Sequence, residues 1–309
     1  MIELDAIQRI LIVGAGTMGQ QIGLQCAMYG YQVVMYDALA EALPAAQTRL
    51  RHELDRVVAA GALPADQVDA VLGRIAWTAV AAEAARNVDL LSESVPEDPV
   101  LKGNVLAQFH ELCPPHTIFT TNTSTLLPSM FAAATQRSSQ FAAFHFHLPV
   151  WVSNVVDIMP HPGTDTAVIT LLEGFARRIG QIPIVLQKES SGYVFNALLS
   201  ALNTATLSLV VKGVASPEDV DRAWMGVMKT PIGPFGIQDM IGLDTIWKII
   251  DFWATALNNS EFRAHADFLR PYLDQGNLGS KTGAGFYTYP HPAFSRPDFL
   301  SGSTGDADQ

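Results

Sequence analysis

The chain is predicted to fold as an α/β domain on a mostly parallel, doubly wound sheet, followed by an all-helical domain. Three observations predict this. Short aliphatic runs alternate with helix-like segments through the first two-thirds of the sequence. Those runs are near-continuous rather than alternating, as strands covered on both faces require. Beyond about residue 188 the strand signals give way to helices, which sets the expected division at 1–189 and 190–309. A length of 309 residues suits two domains.

Seven strands are expected, over 9–13, 32–36, 88–93, 117–121, 140–145, 155–159 and 182–186. A helix over 20–29 follows the first strand. In the second domain the apolar stretch 194–212 reads as a long helix that Gly213 stops. Ser216-Pro217-Glu218-Asp219 opens the next, with Ser216 as N-cap, Pro217 in the first helical position and the acids at the positive end of the dipole. Further helices are expected to start near Phe235 and Ser260. The tail after Pro290, rich in Pro, Ser, Gly and Asp, is expected to fray.

Composition narrows the function. An apolar fraction of 49% against 16% charged residues gives ample core and argues against disorder. Nineteen Lys+Arg against thirty Asp+Glu leave a net charge of −11, a poor match for nucleic acid or an anionic membrane. No apolar run reaches the roughly 18–20 residues of a membrane span. Cys26 and Cys113 cannot build a disulfide framework. With no signal peptide visible, they read as buried thiols in a reducing cytoplasm. The histidines and cysteines lack metal-ligand spacing, so no metal is expected.

Gly14-Ala15-Gly16-Thr17-Met18-Gly19 forms the pattern G-x-G-x-x-G directly after the first strand and at the start of a helix. Gly14 permits the tight turn, Gly16 lets backbone approach a pyrophosphate, and Gly19 allows close packing of helix on sheet. The helix N-terminus supplies N–H groups and a positive dipole end. Asp37 closes the second strand 18 residues beyond Gly19, where a carboxylate receives ribose hydroxyls. This context makes the first domain Rossmann-like. The Asp37 carboxylate would repel a 2′-phosphate, which favours NAD over NADP.

A dehydrogenase acting on a secondary alcohol needs a base beside the hydroxyl, and imidazole titrates in the useful range. His145 and His147 stand at the end of the fifth expected strand, just before Pro149. Asp157 on the following strand is a candidate to orient the ring and stabilise its cation. His147, two residues on, would share the face of His145 if the strand continued, as a lining or packing residue.

Together Gly14 to Gly19, Asn122-Thr123-Ser124, His145-Phe146 and the acid 12 residues later resemble the 3-hydroxyacyl-CoA dehydrogenase family. So do Gly192-Tyr193-Val194-Phe195-Asn196, Ser216 to Asp221, Gly233-Pro234-Phe235 and Lys281-Thr282-Gly283-Ala284-Gly285-Phe286-Tyr287. The resemblance runs in order from about residue 8 to 288. It implies a Rossmann-like NAD domain, a helical domain carrying a homodimer interface, and a cleft between them. Residue by residue it implies His145 as base, Asp157 as partner acid, Ser124 on the substrate oxygen and Asn196 from the first helix of the second domain. It also implies Glu97, Lys102 and Asn122 near the cofactor, with Thr17 and Met18 inside the glycine turn. Each has a bland alternative: Ser124 as a helix cap, Asn196 as an interdomain bond, Glu97 as a helix-start acid and Lys102 as a solvated charge. Lys102 is otherwise expected as a cation at the mouth, welcoming an anionic thioester carrier.

Two departures stand out. The family acid is normally glutamate, so Asp157 is one methylene short and would need the backbone to shift by about 1–1.5 Å. The family asparagine before proline is Leu148 here. The resemblance implies an NAD-dependent interconversion of L-3-hydroxyacyl and 3-oxoacyl compounds, with short-chain CoA thioesters such as 3-hydroxybutyryl-CoA as substrates. The 150–154 and 121–129 segments look like the diketoreductase branch, which implies reduction of 3-oxo or 3,5-dioxo acids, esters or carrier-bound acyl groups. A third reading is an NAD-binding structural protein without turnover.

Overall fold

The structure, a computed structural model, describes residues 2–301. The chain divides into two units, Met1–Phe195 and Asn196–Gln309. Among the described residues the first holds eight strands: β1 (Arg9–Val13), β2 (Gln32–Tyr36), β3 (Ile75–Thr78), β4 (Leu90–Glu93), β5 (Ile118–Thr121), β6 (Phe141–Phe146), β7 (Val155–Met159) and β8 (Ile182–Val185). Their order in the single sheet is β3-β2-β1-β4-β5-β6-β7-β8. The central strands β1, β4 and β5 are almost wholly buried, which explains their unbroken apolar runs. Helices α1 (Thr17–Met28), α2 (Leu43–Ala59), α3 (Val68–Leu72), α4 (Ala81–Ala84), α5 (Pro99–Leu112) and α6 (Thr166–Arg178) connect them. Cys26 and Cys113 are free, buried thiols, and burial pushes both up to about 12.

The sheet is mostly parallel, as expected, with two features the sequence reading did not specify. Strand β3 has no counterpart among the seven expected strands. It is an edge strand whose only fully buried residue is Ile75, so its hydrophobic signal is weak. The sheet is also not uniformly parallel in its second half: β6 and β7 run antiparallel, with His145 directly opposite Asp157. Only eight residues join them, too few for a crossover helix.

The second unit is helical. Helix α7 (Phe195–Val211) spans the unit boundary and leads to α8 (Pro217–Met228), α9 (Pro234–Ile241), α10 (Leu243–Ala256) and α11 (Ser260–Asp274). Ser216 caps α8 by accepting from the Asp219 N–H at 3.1 Å, and Gly213 takes a φ of +68° after α7. Helix α10 was absent from the expected set; Gly242, at φ +102°, breaks one apolar stretch into α9 and α10. The quoted second-domain motifs meet at Asp221, which accepts from the Phe235 and Gly236 N–H groups and the Tyr287 hydroxyl. The tail is more ordered than expected. Phe299 is buried, with the Arg222 guanidinium 5.0 Å from its ring centroid, and residues 302–309 lie outside the described chain. Among the described residues, no helix is long and apolar enough to cross a membrane.

Candidate active site

The glycine turn is shaped by contacts that a side chain would destroy. Gly14 takes a φ of +102°, and a Cβ there would lie 2.8 Å from the Ser94 carbonyl oxygen. A Cβ on Gly19 would lie 2.0 Å from the Gly14 carbonyl oxygen. Gly16 is different: an added Cβ would meet nothing within 4 Å. Gly16 is also the N-cap of α1 and offers no side-chain cap to the first-turn N–H groups. This is a cradle that a Cβ would fill, and it fits a pyrophosphate. Asp37 folds back on the turn, accepting from the Ala15 N–H at 3.0 Å and from the Leu39 N–H at 3.0 Å. Thr17 faces a separate hollow that Arg49 and Arg56 of α2 also line.

A cavity of about 260 Å³ opens at the C-terminal ends of β4, β5 and β6. It brings together Met18, Glu97, Lys102, Asn122, Ser124 and His145. Such a position, at strand ends beside the β1–β4 crossover, is where open α/β sheets bind ligands. Asn122 ties two strand ends, its Oδ1 accepting from the Phe146 N–H at 2.8 Å. Asn196 belongs to the second unit, as the second residue of α7.

The imidazole side of the cavity rests on strand register. Because His145 pairs with Asp157 across β6 and β7, the short carboxylate reaches it directly: His145 Nδ1 lies 3.2 Å from Asp157 Oδ2. His147 reaches the same oxygen, with Nε2 at 2.9 Å. An ionised carboxylate only accepts, so each imidazole presents an N–H to it and His145 keeps an Nε2 lone pair. Burial works against the Asp157 charge, but the two imidazole bonds outweigh it and hold the carboxyl below its usual range. For His145, burial dominates and lowers its proton affinity, the Asp157 bond opposes this, and the neighbouring His147 adds to it.

The opposite side is an ion network. Glu97, its side chain 34% exposed, gathers the 123–125 loop on one oxygen. Oε1 accepts from the Thr123 hydroxyl at 2.6 Å and from the Ser124 and Thr125 N–H groups at 2.9 Å each. Burial opposes its charge, yet the Thr123 hydroxyl, Lys102 and these N–H groups hold the carboxyl at about 2. Ser124 is therefore not a helix cap but a loop residue that Glu97 places.

Lys102 corrects both sequence readings, the solvated charge and the free cation at the mouth. Its side chain is 1% exposed, and Nζ donates to Glu93 Oε1 at 2.9 Å, Glu93 Oε2 at 3.1 Å and the Val95 carbonyl at 3.1 Å. Burial pushes Glu93 up, while Lys102 and the Thr121 hydroxyl pull it back. Neither Glu93 nor Tyr193 was picked out from the sequence as a site residue. Tyr193 stacks on the His145 ring with centroids 4.6 Å apart, and its hydroxyl donates to the Thr123 carbonyl at 2.6 Å. The usable signal for Glu93 was an acid at the end of an apolar strand.

Comparison with known proteins bears on all of this. Residues 9–190 match the family described as 3-hydroxyacyl-CoA dehydrogenase, NAD binding domain, and residues 192–289 match the 3-hydroxyacyl-CoA dehydrogenase C-terminal domain. The chain is 32% identical to the probable 3-hydroxybutyryl-CoA dehydrogenase of Bacillus subtilis, over 92% of this chain and 98% of that protein. It is 30% identical to the mitochondrial hydroxyacyl-coenzyme A dehydrogenase of Homo sapiens, over 92% of this chain and 91% of that one. A solved diketoreductase, described for substrate-directed dual catalysis of dicarbonyl compounds, is 38% identical with a TM-score of 0.86, covering 92% of this chain and 99% of its own.

Proposed function

The chain belongs to the 3-hydroxyacyl-CoA dehydrogenase family, and from that premise we propose that it interconverts L-3-hydroxyacyl and 3-oxoacyl groups on short-chain CoA thioesters, 3-hydroxybutyryl-CoA first among them. It is an NAD-dependent dehydrogenase. When bound, NAD takes or supplies the hydride at C3. The chain's own residues manage the proton. His145 Nε2 accepts it from the hydroxyl in oxidation and returns it to the forming alcohol oxygen in reduction. Asp157 keeps the ring in the required tautomer and stabilises its cation. Ser124 and Asn196 hydrogen-bond the substrate oxygen. Gly14, Gly16 and Gly19 hold the pyrophosphate turn with Thr17 and Met18, and Asp37 takes the ribose. Glu97, Lys102 and Asn122 shape the nicotinamide end.

The observation that carries this reading is the His145–Asp157 pair, 3.2 Å apart and beside the cavity that Ser124 also lines. The test is NADH oxidation on acetoacetyl-CoA by the parent and by His145→Gln. The expected loss in kcat is about a thousandfold, within the range that a positioned acid–base group supplies. Turnover within about tenfold of the parent would remove His145 from the role. The likeness to the diketoreductase supplies the rival substrate for the same assay. A large preference in kcat/KM for a simple 3-oxo or 3,5-dioxo ester would take coenzyme A out of the account.

Residues 1–189 are assigned to NAD and 190–309 to substrate and dimerisation. The homodimer is supported by apolar side chains left open on helices of the second domain: Leu198 and Leu209 on α7, and Ile249 and Phe252 on α10. Light scattering at working concentration should give twice the 33.4 kDa chain mass, and a monomer would reject it. A cytoplasmic location completes the reading, supported by two unpaired thiols.

A further inference from the structure

We infer that His147 is a positioning residue: it locks the Asp157 carboxylate in register with His145 and, by sharing one oxygen with it, sets how strongly that imidazole holds a proton. The inference rests on the reading of His145 as the base.

The geometry is asymmetric. Both imidazoles converge on Asp157 Oδ2, at 3.2 and 2.9 Å. Asp157 Oδ1 is buried and has no hydrogen-bonding partner among the described residues. Rotation about an aspartate Cβ–Cγ bond is soft and roughly two-fold. One donor alone leaves the carboxylate plane free to rock; two donors from different directions on one oxygen hold that plane against rotation. The His147 ring is itself held, meeting the edges of His145 at 4.7 Å and Phe195 at 5.6 Å between centroids.

The electrostatic consequence has a definite sign. The groups facing His145 are Asp157 from β7, His147 beyond β6, Tyr193 stacked on its ring, and Glu97 acting from the cavity lining. Ser124 and Lys102 line the same cavity, and the Lys102 charge is already matched by Glu93. Of these, His147 is the one whose N–H draws on the same oxygen. Removing it returns that charge to His145, which then binds its proton more tightly.

The test compares His147→Phe, which keeps an aromatic ring and loses the N–H, with His147→Gln, which keeps an N–H donor. For His147→Phe the basic limb of kcat/KM for acetoacetyl-CoA reduction, where His145 loses the proton it must donate, should move to higher pH by about half a unit or more. Its kcat should fall about tenfold, with KM for acetoacetyl-CoA within about twofold of the parent. His147→Gln should recover most of both. A limb within about 0.2 unit of the parent in His147→Phe, or equal losses in the two variants, would overturn the inference. NMR titration of the His145 ring, identified by its absence in His145→Gln, reads the same shift without turnover. If the parent oxidises no NADH on any acyl substrate, the functional reading fails by itself. The titration then still decides whether His147 governs the His145 proton.

Discussion

Two carboxylates serve one cavity, Glu97 in its lining and Asp157 behind His145, and they are bonded in opposite ways. Asp157 is buried and accepts on one oxygen from two imidazoles, groups whose chemistry is to exchange a proton. Glu97 is partly exposed and accepts on one oxygen from hydroxyl and backbone N–H groups that do not titrate there. Both are held ionised below the ordinary carboxylate range. The same negative charge therefore serves a proton in one place and a loop conformation in the other. The partner, not the acid, decides which.

The sharpest way to break this contrast is Asp157→Asn. An amide cannot enforce the N–H tautomer on both rings, so kcat/KM should fall by about a thousandfold or more while the melting temperature changes little. A large loss of stability with modest loss of rate would make Asp157 a structural acid like Glu97. Lys102→Met should behave inversely. It strands Glu93, 0% exposed in its side chain, without a counter-charge. Urea unfolding should then show a loss of about 3–5 kcal/mol, as for other broken buried pairs; a loss under about 1 kcal/mol would mean that Glu93 takes a proton cheaply.

Glu97→Gln comes next. It should lower kcat by about tenfold through a displaced Ser124. Its pH signature has a fixed sign. A carboxyl held at about 2 against 4.5 stabilises the fold above pH 4.5 and loses that contribution as pH falls toward 2. The urea midpoint of the variant should therefore decline less over this window than the parent's. The smallest effect concerns the parent itself. Burial lowers the proton affinity of His145, so in oxidation of the hydroxyacyl substrate, where the imidazole must be neutral, the acid limb of kcat/KM should lie below 6.5. A limb above 6.5 would show that Asp157 outweighs burial.

Much of this was legible in the sequence because the signals were local. Apolar runs flanking Gly14 and Asp37 announced the first strands, and Gly14 and Gly19 sit where backbone contacts forbid a Cβ, while Gly16 leaves open space. Gly213 and Ser216 marked helix ends by their own conformational chemistry. What stayed hidden depends on partners distant in sequence or on direction. An apolar run does not reveal which way a strand points, although the short link from β6 to β7 did carry that information. Strand β3 buries too little for its run to stand out. The fate of Lys102 depends on Glu93, nine residues earlier on a different element, and a lysine taken alone reads as solvated. Tyr193 was visible only as a motif letter, because ring stacking across the fold has no periodicity to betray it.

The antiparallel return from β6 to β7 has one more consequence. It writes the proposed proton-handling pair into a single hairpin spanning His145 to Asp157, closed by a loop short enough to cost little entropy. The pair is thus a self-contained cassette: its spacing is set by neighbouring rungs of one ladder and not by the docking of distant parts. Insertions elsewhere in the chain can restyle what enters the cavity while the proton relay keeps its dimensions.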